Sequence, residues 1–597
     1  MKRLIFIWIL LGSLKVNAQS VSLLNKPLND AIRRSQLWGD VPIASSFCVR
    51  PVDAVKALGF DDPYSLDSEY DFVLNDNVKD GLLPKFSIPI SRLTEIISDS
   101  LTKHIVSKVS PKNLFYLRAT PITTRVQYNG HHDYGWQDGP MIPNKGLQYY
   151  LNAGIYGNIG PIEFKYAPEY VYALNDSVPP PGVRNISSSQ IAPGIFTEQH
   201  DYPDRFGTDP YRRNYFGQSY VKLNLGSVSF GVSSENIFWG PGRYSGIVMT
   251  ENAPGMNHLT IESNKPIKTK IGTFEFNLIG GKKRHSGFTY LTQAQVSPSD
   301  SVNGLLSLPE VMRDTSLDDN FNVFAGAVGV FSPIFLPGFS IGLTREVWTS
   351  SQPEEVNYTD YFALFFTNPF RSGGGGTQPV DQMGSVFFRY VMPESHSEVY
   401  GEYGFDDNRF DFEDLIVSPE HSRAYLIGFS KLQPIDGKNE YVEFTAEVTQ
   451  IEASKEWINR GAVFYDSDYS NYGQNIGAGI GSGSNQWILN IDHVNETRRL
   501  GFVFERIARN NDLLYRNEIP WFNTWYGFDF TKKYIEASYG LNYEKRIGNL
   551  MFWSKALLTQ TYNWNYWYDP AGTSSSMRAN GYNVKSLNIF TGLTLML

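Results

Sequence analysis

The sequence contains few residues whose types and spacing could carry out a reaction. His131-His132-Asp133 invites a metal reading. Adjacent side chains of an extended segment point in opposite directions, and no second cluster of ligands accompanies these, so a solvated loop explains them better than a metal centre. Gly373 to Gly376 lacks the following Lys-Ser/Thr of a phosphate cradle and reads as a flexible loop tip. No Ser and His are spaced so as to select a hydrolytic pair. Lone Cys48 leaves neither an intramolecular disulfide nor a thiol metal cluster. Catalytic residues, metal and cofactor are therefore all assigned as none.

What the chain does offer is the chemistry of sugar recognition: flat rings for C–H faces, with amides and charges beside them for hydroxyls. Three stretches combine these, Tyr134-Gly135-Trp136-Gln137-Asp138, Trp521-Phe522-Asn523-Thr524-Trp525-Tyr526 and Asn563-Trp564-Asn565-Tyr566-Trp567-Tyr568-Asp569. The candidate glycan contacts are Trp136, Trp521, Trp525, Trp564 and Trp567. The competing role for each ring is in the aromatic belt at a membrane interface. Arg212 and Arg213 would suit a polymer of uronic acids, or equally lipid headgroups. Trp239-Gly240-Pro241-Gly242 is the most distinctive local motif; its glycines and proline set a tight backbone path, and its indole is better placed to pack that turn than to bind a ligand.

The elements that must position these residues are of two kinds. Met1 to Ala18 has a basic start, an apolar run from Leu4 to Leu14 and small or short residues before Gln19, the layout of a secretory signal peptide. From there to about residue 115 the apolar period is helical. Pro27 and Pro51 near helix starts, with Gly39 and Gly59 at the stops, bracket helices near 27–38 and 51–58, and a longer helix runs from Ser91 to before Pro111. Beyond about Arg118 the period is two. Ile162, Phe164, Tyr166, Tyr170 and Tyr172 share one face, with Glu163, Lys165, Ala167 and Glu169 on the other. The same alternation sets Phe274, Phe276 and Leu278 against Glu275 and Asn277, and Val442, Phe444, Ala446 and Val448 against Glu443 and Glu447.

Many of these strands are long enough to cross a bilayer at a tilt, which takes ~9–11 residues. Short turns near 157–161, 225–227, 264–269, 333–337, 392–396, 481–485 and 545–548 alternate with long polar stretches near 129–146, 173–213, 281–321, 349–383, 405–421 and 451–472. A membrane barrel sorts its connections in this way, whereas a soluble sandwich has no reason to. Arg499 to Glu505 and Trp525 to Phe530 read as two strands or as parts of one loop, with an even total in either case. The expected fold is mainly β: an outer-membrane β-barrel of about 18 antiparallel strands over 116–597, preceded by a small helical subdomain at 19–115 and the signal peptide at 1–18. Composition agrees, with 15% aromatics, 19% charged residues and a mean hydropathy of −0.30. A net charge of −9 argues against nucleic acid.

The chain ends Phe590-Thr591-Gly592-Leu593-Thr594-Leu595-Met596-Leu597, which resembles the terminal strand signal read by the barrel-insertion machinery. It departs from that pattern at Phe590, where a polar residue is usual, and at Leu597, which replaces an aromatic. The stretch Glu235-Asn236-Ile237-Phe238-Trp239-Gly240-Pro241-Gly242-Arg243-Tyr244, followed by Asn252-Ala253-Pro254-Gly255, resembles the Wzi capsule-assembly family. Arg33-Arg34-Ser35-Gln36-Leu37 and Ser46-Phe47-Cys48-Val49-Arg50-Pro51 resemble forms of that family from Bacteroidetes-like chains. The resemblance implies a non-enzymatic outer-membrane lectin that binds capsular or exopolysaccharide at the cell surface and assists capsule assembly and attachment; the chain is expected to be a monomer. It also implies that the helical region lies at the periplasmic end of the barrel, within reach of outer-membrane lipid. The alternative from the residues themselves is a channel for small solutes, with Glu163, Glu275, Glu443 and Glu447 facing a polar lumen.

Overall fold

The computed structural model describes residues 26–39 and most of 115–595; residues 1–25, 40–114 and parts of the long connections (among them 177–205, 291–310, 350–359, 367–379, 454–463, 513–531 and 567–576) lie outside the description. The expected helices near 51–58 and from Ser91 therefore fall outside it. The helix over Lys26–Trp38 is present, with Pro27 in its first turn and Gly39 just past its end at φ +76°.

The β region is one antiparallel ladder. Its first four strands are each broken into two segments: Phe115–Ala119 with Ile122–Tyr134, Asn144–Asn152 with Ile155–Ile159, Ile162–Tyr166 with Glu169–Ala173, and Tyr211–Tyr215 with Tyr220–Leu225. Pro121 and Pro168 stand at two of the breaks, where a residue without an N–H interrupts a ladder at least cost. Val228–Ser233, Asn257–Ser263, Gly272–Arg284, Phe321–Pro333, Phe339–Thr349, Val380–Met392, Ser397–Asp406, Arg423–Asp436, Glu440–Gln450, Asn485–Asn495, Arg498–Arg509, Tyr534–Ile547, Leu550–Tyr562 and Val584–Leu595 follow. Each pairs with its neighbours in the chain. Val584–Leu595 pairs with both Leu550–Tyr562 and Ile122–Tyr134, so the ladder returns to its first strand after 18 among the described residues.

Burial along these strands is inverted relative to a soluble protein. Ile162, Val221, Leu343, Ile427, Leu541, Leu558 and Leu595 are exposed on the outer face, while Glu163, Glu275, Glu346, Glu443, Asp492 and Glu505 are buried on the inner one. Alternate residues thus meet lipid and lumen, and the exposed apolar band excludes a secreted soluble β-protein. Leu593 and Leu595 point outward at the C-terminus, and Phe590 points inward, its ring 6.1 Å from that of Tyr134.

Short and long connections alternate by parity, as expected, with two corrections. Residues 481–484 are not a short turn. They belong to the long connection from Gln450 to Asn485, and the short turns on that side of the sequence lie at 437–439 and 496–497. The second correction concerns 234–256, which carries the Trp239 motif and is itself a long connection. Arg498–Arg509 is one strand, and 525–530 lies outside the described residues.

Candidate functional site

The connection 234–256 does not extend away from the barrel. Trp239, Ile247, Val248 and Met249 are almost fully buried and join inward wall residues Phe324, Val328, Trp348, Met383, Phe387 and Leu426 in one core. This segment is a plug. The Trp239 N–H donates to the Met249 carbonyl at 3.0 Å, closing the segment on itself. Gly240 adopts φ +101°, and a Cβ there would lie 2.7 Å from a carboxylate oxygen of Glu402, so the motif's glycine serves both the left-handed backbone and the close approach. Pro241 and Gly242 present their carbonyls to Arg33 of the N-terminal helix at 3.0 and 3.3 Å.

Inward carboxylates of the wall hold the plug. Glu447 accepts the backbone N–H groups of Arg243, Tyr244 and Ser245 at 2.7, 3.1 and 2.8 Å, an anion nest in which the protein supplies its own anion. Tyr400 donates to the same carboxylate at 2.9 Å. Glu402 accepts the Ile247 N–H at 3.2 Å and the Ser385 hydroxyl at 2.7 Å. The Arg243 guanidinium reaches Glu443 at 2.8 Å, Thr445 at 3.0 Å and Asp30 of the helix at 3.1 Å. Burial opposes its charge, but Glu443 and Asp30 outweigh that and hold it well above the ordinary arginine range.

Above the plug, Tyr465 and Tyr469 stack with ring centroids 5.3 Å apart. Tyr465 donates to the Ile247 carbonyl at 2.6 Å, and Tyr469 donates to the Val248 carbonyl. Burial pushes both phenols above their usual values.

The helix enters the lumen at the short-turn end. Leu37 packs on Val391, Leu432, Tyr441 and Val494, and Arg33 pairs with Glu398 at 2.9 Å. Arg389 donates to Gln36 at 2.8 Å, and the Leu37 carbonyl lies 3.0 Å from the His396 ring nitrogen. The docking residues are thus those of the Arg33-Arg34-Ser35-Gln36-Leu37 stretch. Glu443, placed inward by its strand alternation, faces Arg34, Arg243 and Arg499 at 3.5, 2.8 and 3.1 Å rather than an open pore.

On the opposite side of the lumen, between the plug, the helix and the first and last strands, lies a cavity of about 480 Å³. Trp136 and Phe590 supply rings to its lining, with Arg125, Glu505 and Lys555 as charged groups and Gln137 as an amide. Lys555 lies 6.0 Å from the Trp136 ring centre and 5.8 Å from that of Phe590, and it pairs with Glu505, which also accepts the Tyr134 hydroxyl at 2.6 Å.

Of the aromatic candidates, Trp136 lies in this cavity. Trp564 is buried in the turn that follows the strand Leu550–Tyr562, its ring 5.4 Å from both His131 and His132. Trp521, Trp525 and Trp567 lie outside the described residues. Arg212 and Arg213 do not act as a pair. They occupy successive positions of the strand Tyr211–Tyr215, with Arg212 exposed beside the Tyr172 ring and Arg213 turned to the Tyr472 ring at 4.5 Å. The solvated-loop reading of His131-His132-Asp133 is corrected as well. These residues are part of the strand Ile122–Tyr134, with His132 fully buried 3.7 Å from Glu536; among the described residues no group of three or more His, Cys, Asp or Glu side chains could hold a metal ion.

Sequence reasoning missed the plug anchors Glu398, Glu402, Tyr465 and Tyr469. The inward alternation of Glu398 and Glu402 on their strand was the available signal; the tyrosines sit in a polar loop that carries none.

The family model for the capsule assembly protein Wzi matches residues 129–550. No curated protein sequence matches the chain. Among solved structures, it is similar to Wzi, an outer-membrane protein involved in group 1 capsule assembly in Escherichia coli and described as a carbohydrate-binding β-barrel; identity is 10%, with 95% of this chain and 98% of that one covered at a TM-score of 0.53. The Pseudomonas aeruginosa protein OpdQ is more distant, with 9% identity, 80% and 98% coverage and a TM-score of 0.36. With the family model spanning most of the barrel and the plug motif inside it, the chain belongs to the Wzi capsule-assembly family.

Proposed function

We propose that this protein is a non-enzymatic outer-membrane binder of capsular or exopolysaccharide that holds the polymer at the cell surface and assists capsule assembly and attachment. The observation that carries the reading is the division of the lumen. A buried plug, tied to the wall by Arg243, Glu402 and Glu447, fills one side, and a cavity with rings and polar groups is left on the other. A solute channel needs a continuous aqueous path, and of the inward carboxylates Glu398, Glu443 and Glu447 are engaged with the plug and the helix. The capsule role of the Escherichia coli relative supports the same reading.

Trp136 would stack on a sugar ring, with Gln137 and the charges of Arg125 and Lys555 taking hydroxyls or a carboxylate. Trp521, Trp525 and Trp567 are further candidate platforms on the long connections. In this reading the signal peptide 1–18 is removed on export, the insertion machinery recognises the last strand, and a monomer presents its long connections outside with the helical region in the periplasm. Deleting the gene and scoring capsule retained on cells against capsule released to the medium tests the proposal. Release is expected; unchanged retention overturns it. A glycan array with the purified barrel then identifies the polymer.

A further inference from the structure

The outer wall carries a feature that polysaccharide binding does not use. Strand register sets outward residues in tiers. Val221, Val232, Leu259, Gly280 and Ala325 form one, and Leu223, Phe230, Ile261, Leu278 and Ala327 form the tier below, towards the short-turn end. Gly280 and Ala325 leave the wall shallow there. Against them packs the segment Asp360–Phe366, in the connection between the strands Phe339–Thr349 and Val380–Met392, lying on the outside of the barrel. A Cβ at Gly280 would come 2.3 Å from the Tyr361 carbonyl oxygen, so only glycine admits this approach. Arg345, also outward, pins the segment by donating to the Leu364 carbonyl at 3.2 Å and to Gln382 at 2.8 Å.

Wall and segment enclose a groove of about 640 Å³, lined almost entirely by apolar side chains, within the ~300–1,000 Å³ of small-molecule sites. Phe362 and Phe365 remain exposed beside it, at 41% and 65%. One tier above Gly280 on the same outward face stands Lys282, and Arg284 stands one tier higher; two residues of strand rise about 7 Å. An apolar slot below two cations is the complement of a lipid with an anionic headgroup, and the long-connection end of a barrel faces the outer leaflet. We propose that this groove holds an acyl chain of a phosphorylated outer-leaflet glycolipid whose phosphates rest on Lys282 and Arg284. The site stands independently of the polysaccharide reading, because it lies on the opposite side of the wall from the lumenal cavity.

Native mass spectrometry of the full-length protein in detergent tests the proposal. The probes are bisphosphorylated lipid A, dephosphorylated lipid A and phosphatidylethanolamine. The bisphosphorylated form should be retained best, and the double variant Lys282→Glu/Arg284→Glu should lower its retention at least about fivefold. Ile261→Trp, which fills the groove, should lower retention of every lipid, whereas Leu541→Trp on the outward face of another strand should lower none. Equal retention of all three lipids, or charge variants indistinguishable from the parent, overturns the proposal. Heat-modifiable gel mobility confirms that each barrel is folded, and if Ile261→Trp fails that check the charge variants, outside the apolar slot, decide alone.

Discussion

The two sides of the lumen are built from the same kind of wall and end differently. Along Ser397–Asp406, Arg423–Asp436 and Glu440–Gln450 the inward carboxylates Glu398, Glu402, Glu443 and Glu447 each meet a cation or a backbone N–H from the helix or plug. Along Ile122–Tyr134 and Val584–Leu595 the inward residues include Arg125, Tyr134 and Phe590, and the space beside them is hollow. The difference is one of complementarity. A buried carboxylate needs a partner and so fixes whatever segment brings one, whereas on the other side wall charges such as Lys555 and Glu505 pair with each other and leave the space beside them open. The first side is therefore a clamp and the second a site.

The sharpest way to break this contrast is Arg243→Ala. It strips Glu443 of its closest cation and breaks the ion pair with Asp30, and breaking such a buried pair costs about 3–5 kcal/mol. Planar-bilayer recordings should show long open events in the variant against a nearly silent parent, together with a lower melting temperature. Glu447→Gln keeps the shape of the clamp but removes the charge that accepts three backbone N–H groups, a loss of about 1.5–3 kcal/mol. It should flicker open more briefly than Arg243→Ala. On the hollow side, Trp136→Ala should leave conductance unchanged and weaken oligosaccharide binding by about 2 kcal/mol, roughly 30-fold in Kd by isothermal titration. Open events in Trp136→Ala would show that the two sides are not separate.

The smallest effect is on pH. Burial raises the folded-state pKa of Tyr465 and Tyr469, so their contribution is fully present below the unfolded tyrosine value of ~10 and is lost as pH rises beyond it. Through these tyrosines, conductance should rise modestly as pH passes about 10.

How much was legible in the sequence varied from element to element. The inward set Glu163, Glu275, Glu443 and Glu447 was readable, because period two assigns each residue to lipid or lumen regardless of what fills the lumen. So was the end of the first helix at Gly39. The turn at 496–497 was missed because Asn495-Glu496-Thr497-Arg498 contains neither Gly nor Pro, while the glycine-rich 481–484 imitated a turn inside a long connection. His131-His132-Asp133 was misplaced in a loop because a polar run inside a lumen-facing strand looks like solvent-exposed chain.

The sequence by itself determined the wall: its even strand number, its two faces and the sorting of its connections, all written in local periodicity and spacing. Only the tertiary structure decided what the wall encloses. Arg243 and Glu443 are 200 positions apart, and Arg33 and Glu398 are 365 apart. Their meeting depends on strand order and on a connection turning inward, and no local pattern encodes either. The same separation left Trp136 beside a cavity and Trp564 buried against His131 and His132, although the two stretches read alike as sequence.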